Sequence, residues 1–118
     1  MAAIDELFEN WTVQARKGLL ELCVLVALEG EERYGYDLVK SLVDRPGLGV
    51  TEGTLYPLLS RLRVQGLVQT RLVESPEGPA RKYYSLTEDG REMAAMMNAH
   101  FDRIAQSLRA LRKRGRGR

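Results

Sequence analysis

The chain has 118 residues, enough for one domain with a terminal extension but not for two full domains. Its 44% hydrophobic and 29% charged residues are ordinary for a globular protein, and no apolar run approaches the roughly 20 residues of a membrane-crossing helix. The net charge of +2 is unevenly spread: Arg109, Arg112, Lys113, Arg114, Arg116 and Arg118 supply six positive charges, whereas residues 1–108 hold twelve basic and sixteen acidic groups. Basicity therefore belongs to the end of the chain and not to its body. The start, "MAAIDELFENW", lacks the basic and apolar succession of a secretory signal, and the single Cys23 allows no disulfide within the chain. A cytoplasmic protein with no membrane partner is expected.

Ile4, Leu7, Phe8 and Trp11 recur at spacings of three and four and predict an amphipathic first helix. "GLLELCVLVALEG" is apolar nearly all round and predicts a buried helix at the centre of the core, with Cys23 as core packing. "YGYDLVKSLVDRPGLG" predicts a third helix with Leu38, Val39 and Leu42 facing inward, stopped at Pro46 and Gly47. In "TEGTLYPLLSRLRVQGL", Thr51 takes the N-cap position and Leu55, Leu58, Leu59 and Leu62 form one stripe, while Gly66 closes the helix. Gly53, Tyr56, Pro57, Ser60, Arg61 and Val64 point away from the leucines. "LVQTRLVE" and "RKYYSL" predict two strands around the turn-forming "SPEGPA". Thr87 then caps a last helix, in which Ala94, Met97, Phe101, Ile104, Leu108 and Leu111 alternate by three and four.

This order, three helices followed by a hairpin, is that of a winged helix-turn-helix, in which the second helix of the pair enters the major groove of DNA. The fold class expected is mainly α with a β-hairpin: a winged helix-turn-helix with an N-terminal helix and a long C-terminal helix. Residues 1–16 form the N-terminal helix, 17–86 the DNA-binding domain, 87–111 the dimerisation helix and 112–118 a basic, disordered tail. So small a domain has no surface left to cover Leu7, Phe8 and Trp11 together with Met97, Phe101, Ile104, Leu108 and Leu111. A second copy of the chain is the simplest cover, making a homodimer.

"YGYDLVKSL", "LGVTEGTLYPLLSRLRVQGLV" and "GPARKYYSLTEDGRE" follow one another as in the PadR family of bacterial transcriptional regulators, and the resemblance spans roughly residues 16–92. It implies a homodimer that binds a double-stranded operator near a promoter, represses transcription, and is released by an aromatic or drug-like small molecule. The single C-terminal helix resembles the short branch of that family. By position the resemblance assigns Thr51, Gly53, Thr54, Tyr56 and Arg61 to the recognition helix, Tyr36 and Lys40 to phosphate contacts from the helix before it, and Gly78, Arg81 and Lys82 to the wing. Trp11, Met93, Met97 and Phe101 are the effector-binding candidates.

Two readings of other classes stand beside this one. Winged helices also serve as protein-interaction modules without specific DNA binding, and the acidic body suits that use. An enzyme is not expected: one cysteine and one histidine, His100, far apart in sequence, with no glycine-rich phosphate loop, give neither a nucleophile with its base nor a metal or cofactor site.

Overall fold

The computed structural model describes residues 3–116. Helix α1 (Ile4–Arg16) has Asp5 and Glu6 in its first turn, where negative charge complements the helix dipole. Gly18, at φ 79°, breaks the chain before α2 (Leu19–Ala27), which buries Leu22, Val24 and Leu25. A two-residue strand β1 (Arg33–Tyr34) leads straight into α3 (Gly35–Val43), and α4 (Glu52–Val64) follows after the Pro46 turn. Strands β2 (Val68–Ser75) and β3 (Gly78–Leu86) form the hairpin, and α5 (Glu88–Arg116) ends the described chain.

The sheet is antiparallel in the order β1-β3-β2. β1 was not among the predicted elements, because two residues carry no periodicity and are a strand only through pairing Arg33 with Tyr84 and Tyr34 with Tyr83. The hairpin turn is also tighter than "SPEGPA" suggests. Ser75 pairs with Gly78, so Pro76 and Glu77 alone make the turn, and Gly78 to Ala80 belong to β3. Pro79 cannot donate to a ladder; it lies where the register slips between Val73 and Ser75, a bulge that tolerates it.

The core is apolar apart from one phenol: Val24, Leu25, Leu28, Leu38, Val39, Leu55, Leu59, Leu62, Val68, Leu86 and Ala94 are buried with Tyr84, and no charged side chain among the described residues is. Cys23 packs against its edge, half-buried, and burial pushes its thiol up, which keeps it protonated at neutral pH. Helix α4 ends at a 6→1 bond from the Leu67 N–H to the Leu62 carbonyl, with Gly66 at φ 79° as the left-handed residue such an ending needs. Helix α5 outlasts the segment 87–111 and continues to Arg116. Residues 112–116 are thus helical where a disordered tail was expected, since arginine and lysine are good helix formers and their charge favours a helix C-terminus; residues 117 and 118 lie outside the described residues.

The start of α5 is fastened to the end of α4. The Thr87 hydroxyl donates to the Gly66 carbonyl at 2.6 Å and accepts from the Gly90 N–H at 2.9 Å, which is the cap the sequence predicts. The Thr87 N–H donates to the Leu67 carbonyl, and that same carbonyl occupies the space where a side chain on Gly90 would begin. Gly90→Ala should therefore lower stability by about 2 kcal/mol or more through backbone displacement. At Gly115 a methyl group meets nothing, so Gly115→Ala should leave the melting temperature level or slightly raised. Thermal unfolding of the two variants followed by circular dichroism checks both expectations.

Candidate nucleic-acid interface

Helix α4 turns Leu55, Leu58, Leu59 and Leu62 into the core, and its other side is open to solvent. Thr51, Gly53, Thr54, Tyr56, Pro57, Ser60 and Val64 are all exposed there. Thr51 takes the N-cap position with extended backbone (φ −114°, ψ 163°), but its hydroxyl does not cap an amide; it lies 3.3 Å from the Thr54 hydroxyl. Two hydroxyls thus stand together at the positive end of the helix, a suitable arrangement for an anionic oxygen. A methyl group at Gly53 would approach only the Thr51 hydroxyl, at an ordinary 3.8 Å. Packing within the chain does not require glycine there.

Tyr56 and Arg61, both expected to reach beyond this face, lie on its opposite flanks. The Arg61 guanidinium is bonded at 2.7 Å to Glu21 in the first turn of α2, so it is drawn toward the body and away from Tyr56. Arg63 is the α4 arginine on the Tyr56 flank, close enough to Tyr84 to act on its phenol. The Tyr56 phenol is pushed up by burial first, then by the Glu52 carboxylate and the neighbouring Tyr34 and Tyr36. It is therefore a neutral hydroxyl donor at physiological pH.

Tyr36 stands exposed in the first turn of α3, and Lys40, one turn on, is exposed and 3.6 Å from Asp44. In the wing, Gly78 sits at the tip opposite Ser75, Arg81 pairs with Val73, and Lys82 with Leu72. Because β3 alternates, Arg81 and Lys82 lie on opposite faces of the hairpin. Glu74 and Glu77 share the wing with them and dilute its positive charge.

The sequence reading misses an aromatic layer that joins these parts. The Tyr34 ring lies 6.2 Å from that of Tyr36 and 5.7 Å from that of Tyr83, and the Arg81 guanidinium covers Tyr34 at 4.9 Å. Arg71 lies over Tyr83 at 6.0 Å and reaches past it to Glu32, donating two bonds of 2.7 Å. The signal was present in the tyrosines of "RYGY" and "KYY", but only the β1 pairing brings them together. Gly35 makes the approach of α3 to β3 close enough: a methyl group there would come within 2.8 Å of the Tyr84 ring.

The effector candidates fall into two hollows. Met93, Met97 and Phe101 line one of about 660 Å³ with Leu19, Leu22 and His100; Trp11 lines another of about 430 Å³ with Cys23 and Val26. Phe101, Leu19 and Leu22 border both. Met97 packs partly against the chain's own core. Leu7, Phe8, Trp11, Ile104, Leu108 and Leu111 remain exposed, Trp11 at 63%, with Phe8 and Trp11 stacked at 6.0 Å.

The bond from Arg71 lowers the Glu32 carboxyl below its usual range, followed by the Coulombic attraction of the same guanidinium. A depressed carboxyl contributes its stability above the ordinary carboxylate range and loses it as pH falls through the folded value. Glu32→Gln should thus lower the melting temperature slightly at pH 7, and the gap from the parent should close as the pH falls below the ordinary carboxylate range. Melting curves of both proteins across that range test this.

The sequence profile of the transcriptional regulator PadR-like family matches residues 24–96. Among solved structures, the chain is similar to a PadR family transcriptional regulator from Eggerthella lenta (33% identity, 91% of this chain and 93% of that one, TM-score 0.78). It is also similar to a PadR-like transcriptional regulator from Bacillus cereus (36%, 83% and 95%, TM-score 0.74) and to a transcriptional regulator from Streptococcus (37%, 84% and 97%, TM-score 0.73). A search of the curated proteins found no match.

Proposed function

The chain belongs to the PadR-like family of transcriptional regulators, and from that membership we propose that it binds a double-stranded operator as a homodimer and represses the adjacent gene. The observation that carries this reading is the outer face of α4. Gly53, Pro57 and Ser60 keep it shallow, and at Gly53 the cost in helix stability is one that no contact within the described residues demands. A groove wall that must come close to the helix backbone supplies the demand. Around it stand the Thr51 and Thr54 hydroxyls and the Tyr56 phenol, with Tyr36 and Lys40 on α3 and Arg81 and Lys82 on the wing as phosphate partners.

Gly53→Ala separates the two requirements. It should stabilise the free protein by about 0.5 kcal/mol and weaken binding to the DNA upstream of its own gene, measured by fluorescence anisotropy against a random duplex. Equal affinity for both duplexes, or binding untouched by Gly53→Ala and Tyr56→Ala together, would sink the reading.

The dimer reading is supported by two uncovered faces of opposite charge. Leu7, Phe8 and Trp11 of α1 are flanked by Asp5, Glu6 and Glu9; Phe101, Ile104, Leu108 and Leu111 of α5 are flanked by Arg103, Arg109 and Arg112 against one carboxylate, Asp102. Paired in this way, two recognition helices would meet successive major grooves about 34 Å apart. Phe8→Glu should convert the dimer to a folded monomer in sedimentation, and a dimer of unchanged strength would remove α1 from the interface.

Release by an aromatic effector belongs to the same proposal, supported by the two apolar hollows that share Phe101. Trp11 fluorescence and melting temperature should both move on titration with a ligand of that class. If neither responds to a panel of flat aromatic compounds, effector binding falls while DNA binding stands.

A further inference from the structure

The two arginines of the aromatic layer are built alike and left in different states. Each lies over a tyrosine ring, within the distance at which a guanidinium is attracted to the ring face. Arg71 donates two bonds to Glu32, so its hydrogen-bonding edge is occupied. Arg81 has no carboxylate within ion-pair distance among the described residues, although Glu74 and Glu77 lie on the same hairpin. Stacking covers the face of a guanidinium and leaves the N–H groups in its plane, which is the edge that grips a phosphate with two bonds.

The ring under Arg81 is itself held on several sides. Tyr34 is paired with Tyr83 across β1 and β3, touches the rings of Tyr83 and Tyr36, and precedes Gly35, where any side chain would run into the Tyr84 ring. Its position is therefore set by the junction of the first α3 turn with the sheet and not by the hairpin tip. We propose that Tyr34 is a positioning residue of the DNA interface: its ring holds the Arg81 guanidinium ready for a backbone phosphate and ties the wing to the helix pair. A long side chain on a two-stranded hairpin otherwise loses rotamer freedom at the moment of binding. This inference rests on the DNA-binding reading above.

The test uses the full chain and two 30-base-pair duplexes, the DNA upstream of its gene and a random sequence, with anisotropy measured over a salt series. Tyr34→Leu should weaken binding roughly two- to fivefold, the strength of an exposed cation–π contact, with the salt slope unchanged because the charge of Arg81 remains. Tyr34→Phe, which keeps the ring, should bind like the parent. Arg81→Gln should lower the salt slope by about 0.9, the share of one phosphate, and in that background Tyr34→Leu should add nothing. Arg81→Lys, a surface change that keeps the charge and loses the plane, should match Tyr34→Leu. Three results would overturn the proposal: Tyr34→Phe as weak as Tyr34→Leu, a Tyr34→Leu loss that persists in Arg81→Gln, or Arg81→Lys indistinguishable from the parent. Failure of the parent chain to bind either duplex at low salt would instead strike the DNA-binding reading itself.

Discussion

Four leucines on one side of α4 must lie in the core, and that burial decides what the other side can be. Leu55, Leu58, Leu59 and Leu62 account for the whole apolar stripe, and with Leu38 and Val39 of α3 and Leu25 of α2 they lock the three helices into one body. Burying each such side chain contributes about 1.5 to 3 kcal/mol, so the four together exceed the roughly 1 kcal/mol that a helical glycine costs and the roughly 3 kcal/mol that a proline inside a helix costs. The exposed side is consequently exempt from supporting the fold. It can hold Gly53, Pro57 and Ser60, residues chosen for shape and not for helix stability.

A second constraint joins this body to its hairpin. The strand preceding α3 pairs with β3, and Gly35 brings the helix start against Tyr84, so helix pair and wing share one wall. Polar connections on that wall are exposed: the Glu32 to Arg71 bond crosses the sheet at its surface, as does the stacking of Arg81 on Tyr34. Exposed contacts of this kind add little to global stability. Their effect is on orientation, which matters most where a few side chains must meet an extended, charged partner at fixed spacing.

The elements with a strong period were legible in the sequence. The leucine stripe and the Thr87 cap appear as read, because each depends on neighbours within a few positions; the apolar α2 run is helical as read but buried on one side only, with Leu19 and Val26 exposed. What sequence could not supply were contacts fixed by pairing. Arg61 reads as a groove-facing side chain on a helical wheel, and the wheel does not show its bond to Glu21, forty positions earlier. Tyr34 looked like a residue before a helix, and only β1 shows it as the centre of an aromatic layer. The far end of α5 was legible in part: its period carries it toward Arg114, but a cluster of like charges reads as a solvated tail, although arginine and lysine extend a helix readily once it has begun.

The clamp at the start of α5 acquires a mechanical meaning from the helix's length. Its 29 residues span roughly 43 Å, and its near end is held by Thr87 and Gly90 against the turn that finishes α4. The hold does not stop at that clamp, because Ala94 is buried in the core and Met97 packs against it. The free arm is therefore the stretch beyond Asn98, roughly 27 Å, and a tilt of about 5° there carries the far end through roughly 2 Å. Load on the outer half of α5 thus passes into the shared core through Ala94 and Met97 before it reaches the turn that finishes α4.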